Sequence, residues 1–147
     1  MKLDFDVLPH TADIKIRAYG STLDELFKNA LIGMFQSISP RAVGCRIVND
    51  RLVCPDLPEH HVIEIEAYNA ESLLVDFLSE ALFLSDVHNQ AYLDLTIHEI
   101  TPTRIVAKLH GIPISGFEVV EIKAVTYHNL KINQVPEGFE VDIVFDI

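Results

Sequence analysis

Residues 14–35, IKIRAYGSTLDELFKNALIGMF, change their hydrophobic period in mid-course. Up to Gly20 the side chains alternate. Ile14, Ile16 and Ala18 share one face, and Asp13, Lys15 and Arg17 share the other. That is the two-residue period of a half-buried strand. From Leu23 onward, Leu26, Phe27, Ala30, Leu31, Met34 and Phe35 recur at spacings of three and four, which makes one apolar stripe of a helix. Ser21 or Thr22 can cap that helix, and Asp24 and Glu25 fall in its first turn, where carboxylates meet the positive end of the helix dipole.

Working outward, a second helical stretch starts near Ala70-Glu71 and runs to about Ser85, with Leu74, Phe77, Leu78, Ala81 and Leu82 as its stripe. Elsewhere the period is two. Phe5 and Val7, residues 62–67, Leu93 to Ile97, and Ile105 to Leu109 all read as strands, as does the end of the chain, where Phe139, Val141, Ile143, Phe145 and Ile147 alternate with Glu140, Asp142, Val144 and Asp146. Residues 121–132 also read as a strand, with Val125, Tyr127 and Leu130 packing. Pro40 to Pro58, with Gly44 and Pro55 inside it, reads as the longest irregular connection. The expectation is an α+β fold, two helices packed on mixed β-sheet, formed as one domain over residues 1–147. A chain of 147 residues buries enough surface to hold a core without staples.

At 49% apolar and 22% charged residues, the chain is neither disordered nor a disulfide-dense miniprotein. No apolar run approaches the ~20 residues of a membrane span. Met1 to Pro9 carries Asp4 and Asp6 and lacks the apolar core of a signal peptide, so the expected location is cytoplasmic. The net charge of −11 is concentrated: residues 52–103 hold ten acids and no Lys or Arg. Strong direct nucleic-acid binding needs a basic footprint, so it is not expected. The acidic stretch suits solubility, a basic protein partner or a hard cation.

The segment from Cys45 to Cys54 can fold as a hairpin with Asn49-Asp50 as a two-residue turn, which would bring the two thiols face to face. In a cytosolic protein they are expected to stay reduced, as small half-buried thiols. No CxxC, phosphate-cradling glycine loop, nucleophile elbow or zinc-protease helix is present. His60 and His61 are adjacent, so in a strand they face opposite sides and do not share one metal.

Two polar clusters remain. The first joins Pro9-His10-Thr11-Ala12-Asp13 to the far end of the chain, Asp146-Ile147. Parity turns both acids away from the core. They are either ordinary solvated residues or, should their strands be neighbours, a shared carboxylate face of the kind a hard cation such as Ca²⁺ requires. The second cluster is Ile122 to His128, with Lys123, Thr126, Tyr127 and His128 close together. It reads equally as half-buried strand or as site.

Several stretches, taken together, resemble the archease family. They are Pro-His-Thr-Ala-Asp-Ile at 9–14, Gly-Ser-Thr-Leu-Asp-Glu-Leu-Phe-Lys-Asn-Ala at 20–30 with Gly-Met-Phe at 33–35, Leu-Leu-Val-Asp-Phe-Leu-Ser-Glu at 73–80, Ile-Lys-Ala-Val-Thr-Tyr-His at 122–128, and the final Val-Phe-Asp-Ile. They follow the family's order and span nearly the whole chain, with 40–60 the poorest match. The resemblance implies a non-catalytic helper of the tRNA-splicing RNA ligase. Such a helper promotes guanylylation, the loading of GMP onto the ligase's active-site histidine, and so supports repeated turnover in tRNA splicing. It also implies a divalent metal, calcium, held by Asp13, Asp146 and Ile147, the last through its main chain. Lys123 lies in a family motif and is expected to contact the ligase. A second implied role is chaperone-like control of a tRNA methyltransferase. A stand-alone hydrolase using His10, Asp13 and His128 is the weakest reading, because no nucleophile motif accompanies them.

Overall fold

The computed structural model describes residues 4–8 and 13–147. In chain order the elements are β1 (Phe5–Leu8), β2 (Ile14–Gly20), α1 (Leu23–Ser37), β3 (Pro40–Arg41), β4 (Arg46–Val48), β5 (Arg51–Val53), β6 (Glu59–Glu66), α2 (Ala70–His88), β7 (Gln90–Thr101), β8 (Arg104–Pro113), β9 (Gly116–Phe117), β10 (Ala124–Val125), β11 (Asn133–Val135) and β12 (Gly138–Asp146).

Both helices start where side chains satisfy the orphan amides of the first turn. Thr22 Oγ1 accepts the Glu25 N–H at 3.3 Å, and Glu25 in return accepts the Ser21 N–H at 3.1 Å. Two donors are thus satisfied reciprocally, in the manner of a capping box. Asn69 Oδ1 accepts the Ser72 N–H at 2.8 Å to start α2. That helix continues past Ser85 to His88 and is closed by Asn89 in the left-handed region, φ 54°.

The α+β expectation with two helices is met. The strand pairings, antiparallel throughout the described residues, resolve the sheet layer into two principal sheets. One runs β1-β2-β12-β10, with β11 also pairing β12, and the other runs β6-β8-β7. α1 packs on β2 and β7, and α2 packs on β6, β7 and β8. The α1 stripe is fully buried against Ile16, Ala18, Val141, Ile143 and Phe145, while Leu74, Phe77, Leu78 and Ala81 of α2 meet Ile63, Ile105, Ala107 and Leu109. Phe27 and Phe77 join the two helices with ring centroids 5.6 Å apart.

Two expectations are corrected. Residues 121–132 alternate like a strand, yet only Ala124–Val125 is one. Ile122, Leu130 and Ile132 do pack on the core, but the backbone turns away after Thr126, with Asn129 at φ 52° and Leu130 N–H bonded to the Tyr127 carbonyl at 3.0 Å. The ladder therefore stops after Val125 although β12 runs on, and the far part of that strand pairs β11 instead. The second correction concerns the cysteines. The expected hairpin forms, with Asn49 and Asp50 at φ 51° and 63°, the left-handed pair of a tight hairpin turn. Cys45 and Cys54 are joined in a disulfide rather than reduced, across a Cα–Cα distance of 4.4 Å. The β4–β5 register pairs Arg46 with Val53, so the next pair outward is Cys45 with Cys54, at the close spacing of a non-hydrogen-bonded antiparallel pair. Gln36 fastens the hairpin to α1 by bonding both the N–H and the carbonyl of Leu52, at 2.9 and 3.0 Å.

Candidate metal centre

The carboxylates at the two ends of the chain meet because β2 and β12 are neighbours. Their register pairs Gly20 with Phe139 and Ile14 with Phe145. One step further it sets Asp13 opposite Asp146. Directly opposed residues of an antiparallel pair share a face, with Cβ atoms roughly 5 Å apart. Ile16, Ile143 and Phe145 are buried on the other face, so parity turns both acids outward. Asp13 Oδ1 is closed to solvent, whereas Asp146 is exposed and Ile147 is 39% exposed.

Lys123 reaches the same corner through its backbone. Its N–H donates to the Asp146 carbonyl at 2.7 Å, one residue before β10 pairs Ala124 with Asp146. Lys123 also lines a groove of about 520 Å³ between α2 and residues 121–125, with Leu82, Phe83 and Asp86 on the helix side. Further along, Tyr127 donates its hydroxyl to Asp76 Oδ1 at 3.1 Å, and burial followed by that carboxylate pushes the phenol above its ordinary pKa. His128 is exposed in the turn. Residues 9–12, including His10 and the proposed backbone donors beside it, lie outside the described residues.

Further along this outer face the Asp142 carboxylate is paired with cations. Arg17 donates to both oxygens of Asp142 at 2.6 and 3.0 Å, with Lys15 at 3.8 Å. Those bonds from Arg17 hold the Asp142 carboxyl below its usual range. Among the described residues no three His, Cys, Asp or Glu side chains gather as a metal cluster. What the register sets opposite each other is the carboxylate pair Asp13 and Asp146, with Ile147 next in the chain. This donor set is all oxygen and suits a hard cation of flexible coordination over a soft one. The Arg17–Asp142 clamp was not foreseen, since its partners become neighbours only through the non-local β2–β12 pairing.

Fold and site define a small α+β protein whose two helices lie on antiparallel sheets and whose β2–β12 register sets two carboxylates opposite each other. The family model of the archease proteins matches residues 5–147, and the chain belongs to the archease family. It is 32% identical to protein archease of Methanosarcina barkeri over 151 aligned residues, covering 97% of this chain and 95% of that protein. With protein archease of Thermococcus kodakarensis the identity is 36%, over 88% of this chain and 87% of the relative. The fold matches the solution structure of protein 1598 of Methanobacterium thermoautotrophicum with a TM-score of 0.70 at 24% identity, covering 99% and 100% of the two chains. It also matches the crystal structure of an archease from Thermotoga maritima, described as a possible chaperone, with a TM-score of 0.62 at 21% identity, covering 97% and 96%.

Proposed function

We propose that this chain is a cytoplasmic, non-catalytic activator of the tRNA-splicing RNA ligase, promoting guanylylation of the ligase and its repeated turnover. The observation that carries the reading is the β2–β12 register, which brings Asp13 beside Asp146 while the Lys123 N–H bonds the Asp146 carbonyl. The two acids implied by the family resemblance thereby stand opposite each other, with the Lys123 backbone tied to one of them and its side chain in the groove against α2. In this reading Asp13, Asp146 and a main-chain oxygen of Ile147 hold a divalent cation such as Ca²⁺. The cation supplies positive charge that lets the two carboxylates stand side by side. Asp13 and Asp146 fix the ends of their strands, and Lys123 presents its ammonium to the ligase from the adjoining edge.

The test is a ligase guanylylation and multiple-turnover assay on a tRNA-half substrate, with and without the protein. Stimulation at amounts well below the ligase's own is expected, and unchanged turnover with a matching ligase overturns the reading. Lys123→Ala is expected to fold as the parent does, since exposed positions usually change stability by less than ~0.5 kcal/mol, and to stimulate less. A second reading, implied by the family resemblance, is chaperone-like control of a tRNA methyltransferase's assembly and specificity. Co-purification with the methyltransferase but not with the ligase would select it.

A further inference from the structure

His60 and His61 take separate environments on the two sides of β6. His61 stacks on His88, with centroids 4.6 Å apart, and its Nε2 lies 2.7 Å from Gln90 Oε1. His60 instead stands on the exposed face, and the β6–β8 register places it directly opposite His110. Their rings meet edge to face at an interplanar angle of 82°, with the two Nδ1 atoms 2.7 Å apart.

We infer that His60 and His110 form a binding site for a borderline divalent cation, Zn²⁺ or Cu²⁺, on the outer face of the β6-β8-β7 sheet. Two imidazole nitrogens 2.7 Å apart hold one proton between them: one ring donates it and the other accepts with its lone pair. A divalent cation takes the place of that proton and accepts both lone pairs. With metal–nitrogen bonds of about 2.0–2.1 Å, two ligands on one ion sit roughly 2.9–3.4 Å apart. The rings therefore need to part by a few tenths of an ångström and to turn so that the two lone pairs converge on the ion instead of facing along one line.

The second nitrogen of His110 is already held. Its Nε2 lies 2.7 Å from Thr96 Oγ1. With Nε2–H donating to that hydroxyl, the Nδ1 lone pair is directed at His60, the outer-shell device that orients metal-bound histidines. Burial first, then the neighbouring His60, keeps His110 below its ordinary pKa, so it offers a neutral ring at pH 7. Asp94, opposite His110 in the β7–β8 register, adds negative charge nearby and is itself bonded by Lys28 at 3.1 Å. Lys108 and Lys28 oppose the cation, and water completes the shell. Imidazole donors select borderline metals, whereas Ca²⁺ prefers the oxygen-only corner on the other sheet. Among the described residues no free cysteine competes for the ion.

The experiment is titration of the full chain, without reductant, with Cu²⁺ and with Zn²⁺ alone, read by calorimetry and by the Cu²⁺ electron paramagnetic resonance spectrum. One Cu²⁺ per chain carrying the splitting of two imidazole nitrogens is expected. His60→Gln and His110→Gln should each weaken binding by at least about 10-fold and lose the two-nitrogen signature. Thr96→Val should weaken it by roughly 10-fold or more while keeping that signature. Asp146→Asn should leave it unchanged. Undiminished affinity or a surviving two-nitrogen spectrum in both histidine variants overturns the inference, as does loss of the signal in Asp146→Asn.

Discussion

Replacing Gly138 by alanine tests the strand crossing on which the carboxylate corner depends. Gly138 opens β12 at φ +136°, a region side chains rarely adopt, and an added Cβ would press on the Gly20 carbonyl oxygen and come within 2.6 Å of Ser21 Cα. The backbone strain costs about 1–3 kcal/mol. Overlap with main-chain atoms that cannot step aside costs about 1–3 kcal/mol more. Alanine stiffens the unfolded chain, which returns about 0.4–1 kcal/mol. The net loss is about 3 kcal/mol. Gly44 is the control: its φ is +82°, but nothing lies within 4 Å of an added Cβ. Gly44→Ala therefore carries only left-handed strain, about 1–2 kcal/mol before the same unfolded-state offset. That offset cancels between the two variants and leaves a gap of about 2 kcal/mol due to the close approach. For a chain of this size the gap corresponds to roughly 4–8 °C in Tm. Thermal melts and urea titrations of both variants measure it. If Gly138→Ala lies within ~0.5 kcal/mol of Gly44→Ala, the β2–β12 crossing is not the tight constraint described here.

Asp142→Asn should lose about 1 kcal/mol at pH 7, the upper range for a partly exposed ion pair. Because Arg17 lowers the folded-state pKa of Asp142 below its ordinary 3.8, this stability is present above that value and is lost as pH falls through the folded value. Denaturant titrations of parent and variant should therefore converge as pH falls below 3.8 and through the folded value, and a pH-independent gap would refute the assignment. Opening the Cys45–Cys54 disulfide, which spans a sequence separation of 9, should cost up to about 2.5 kcal/mol of unfolded-state restriction. Melts with and without dithiothreitol, and of Cys45→Ser, should then fall by roughly 5–10 °C, and an unchanged Tm would show that the Gln36 clamp alone holds the hairpin. Asp13→Asn and Asp146→Asn should each weaken calcium binding by about tenfold, with little change of Tm in its absence. The calcium-dependent rise in Tm should shrink in parallel, and equal affinities in calorimetric titration would remove both residues from the site.

The two helices were legible because their signals are local. Thr22 and Asn69 bond amides three residues on, and the apolar stripe of α1 repeats within a turn, so a short window contains the physics. The Asn49-Asp50 hairpin was legible for the same reason. Residues 121–132 misled because alternation reports only which side chains face the core. Whether a backbone is paired depends on a neighbouring strand, and of this stretch β12 pairs only Ala124 and Val125, its far part being taken by β11.

The sequence by itself settled that Asp13 and Asp146 both face away from the core, because strand parity is a property of each segment alone. Only the tertiary structure decided that β2 and β12 are neighbours, in the register that sets one acid against the other. The same holds for His60 and His110, whose opposition follows from the β6–β8 pairing and from no spacing along the chain. Parity is carried by the covalent alternation of the backbone. Adjacency is a choice among pairings of distant segments, made when α1 and α2 bury their stripes on both sheets at once.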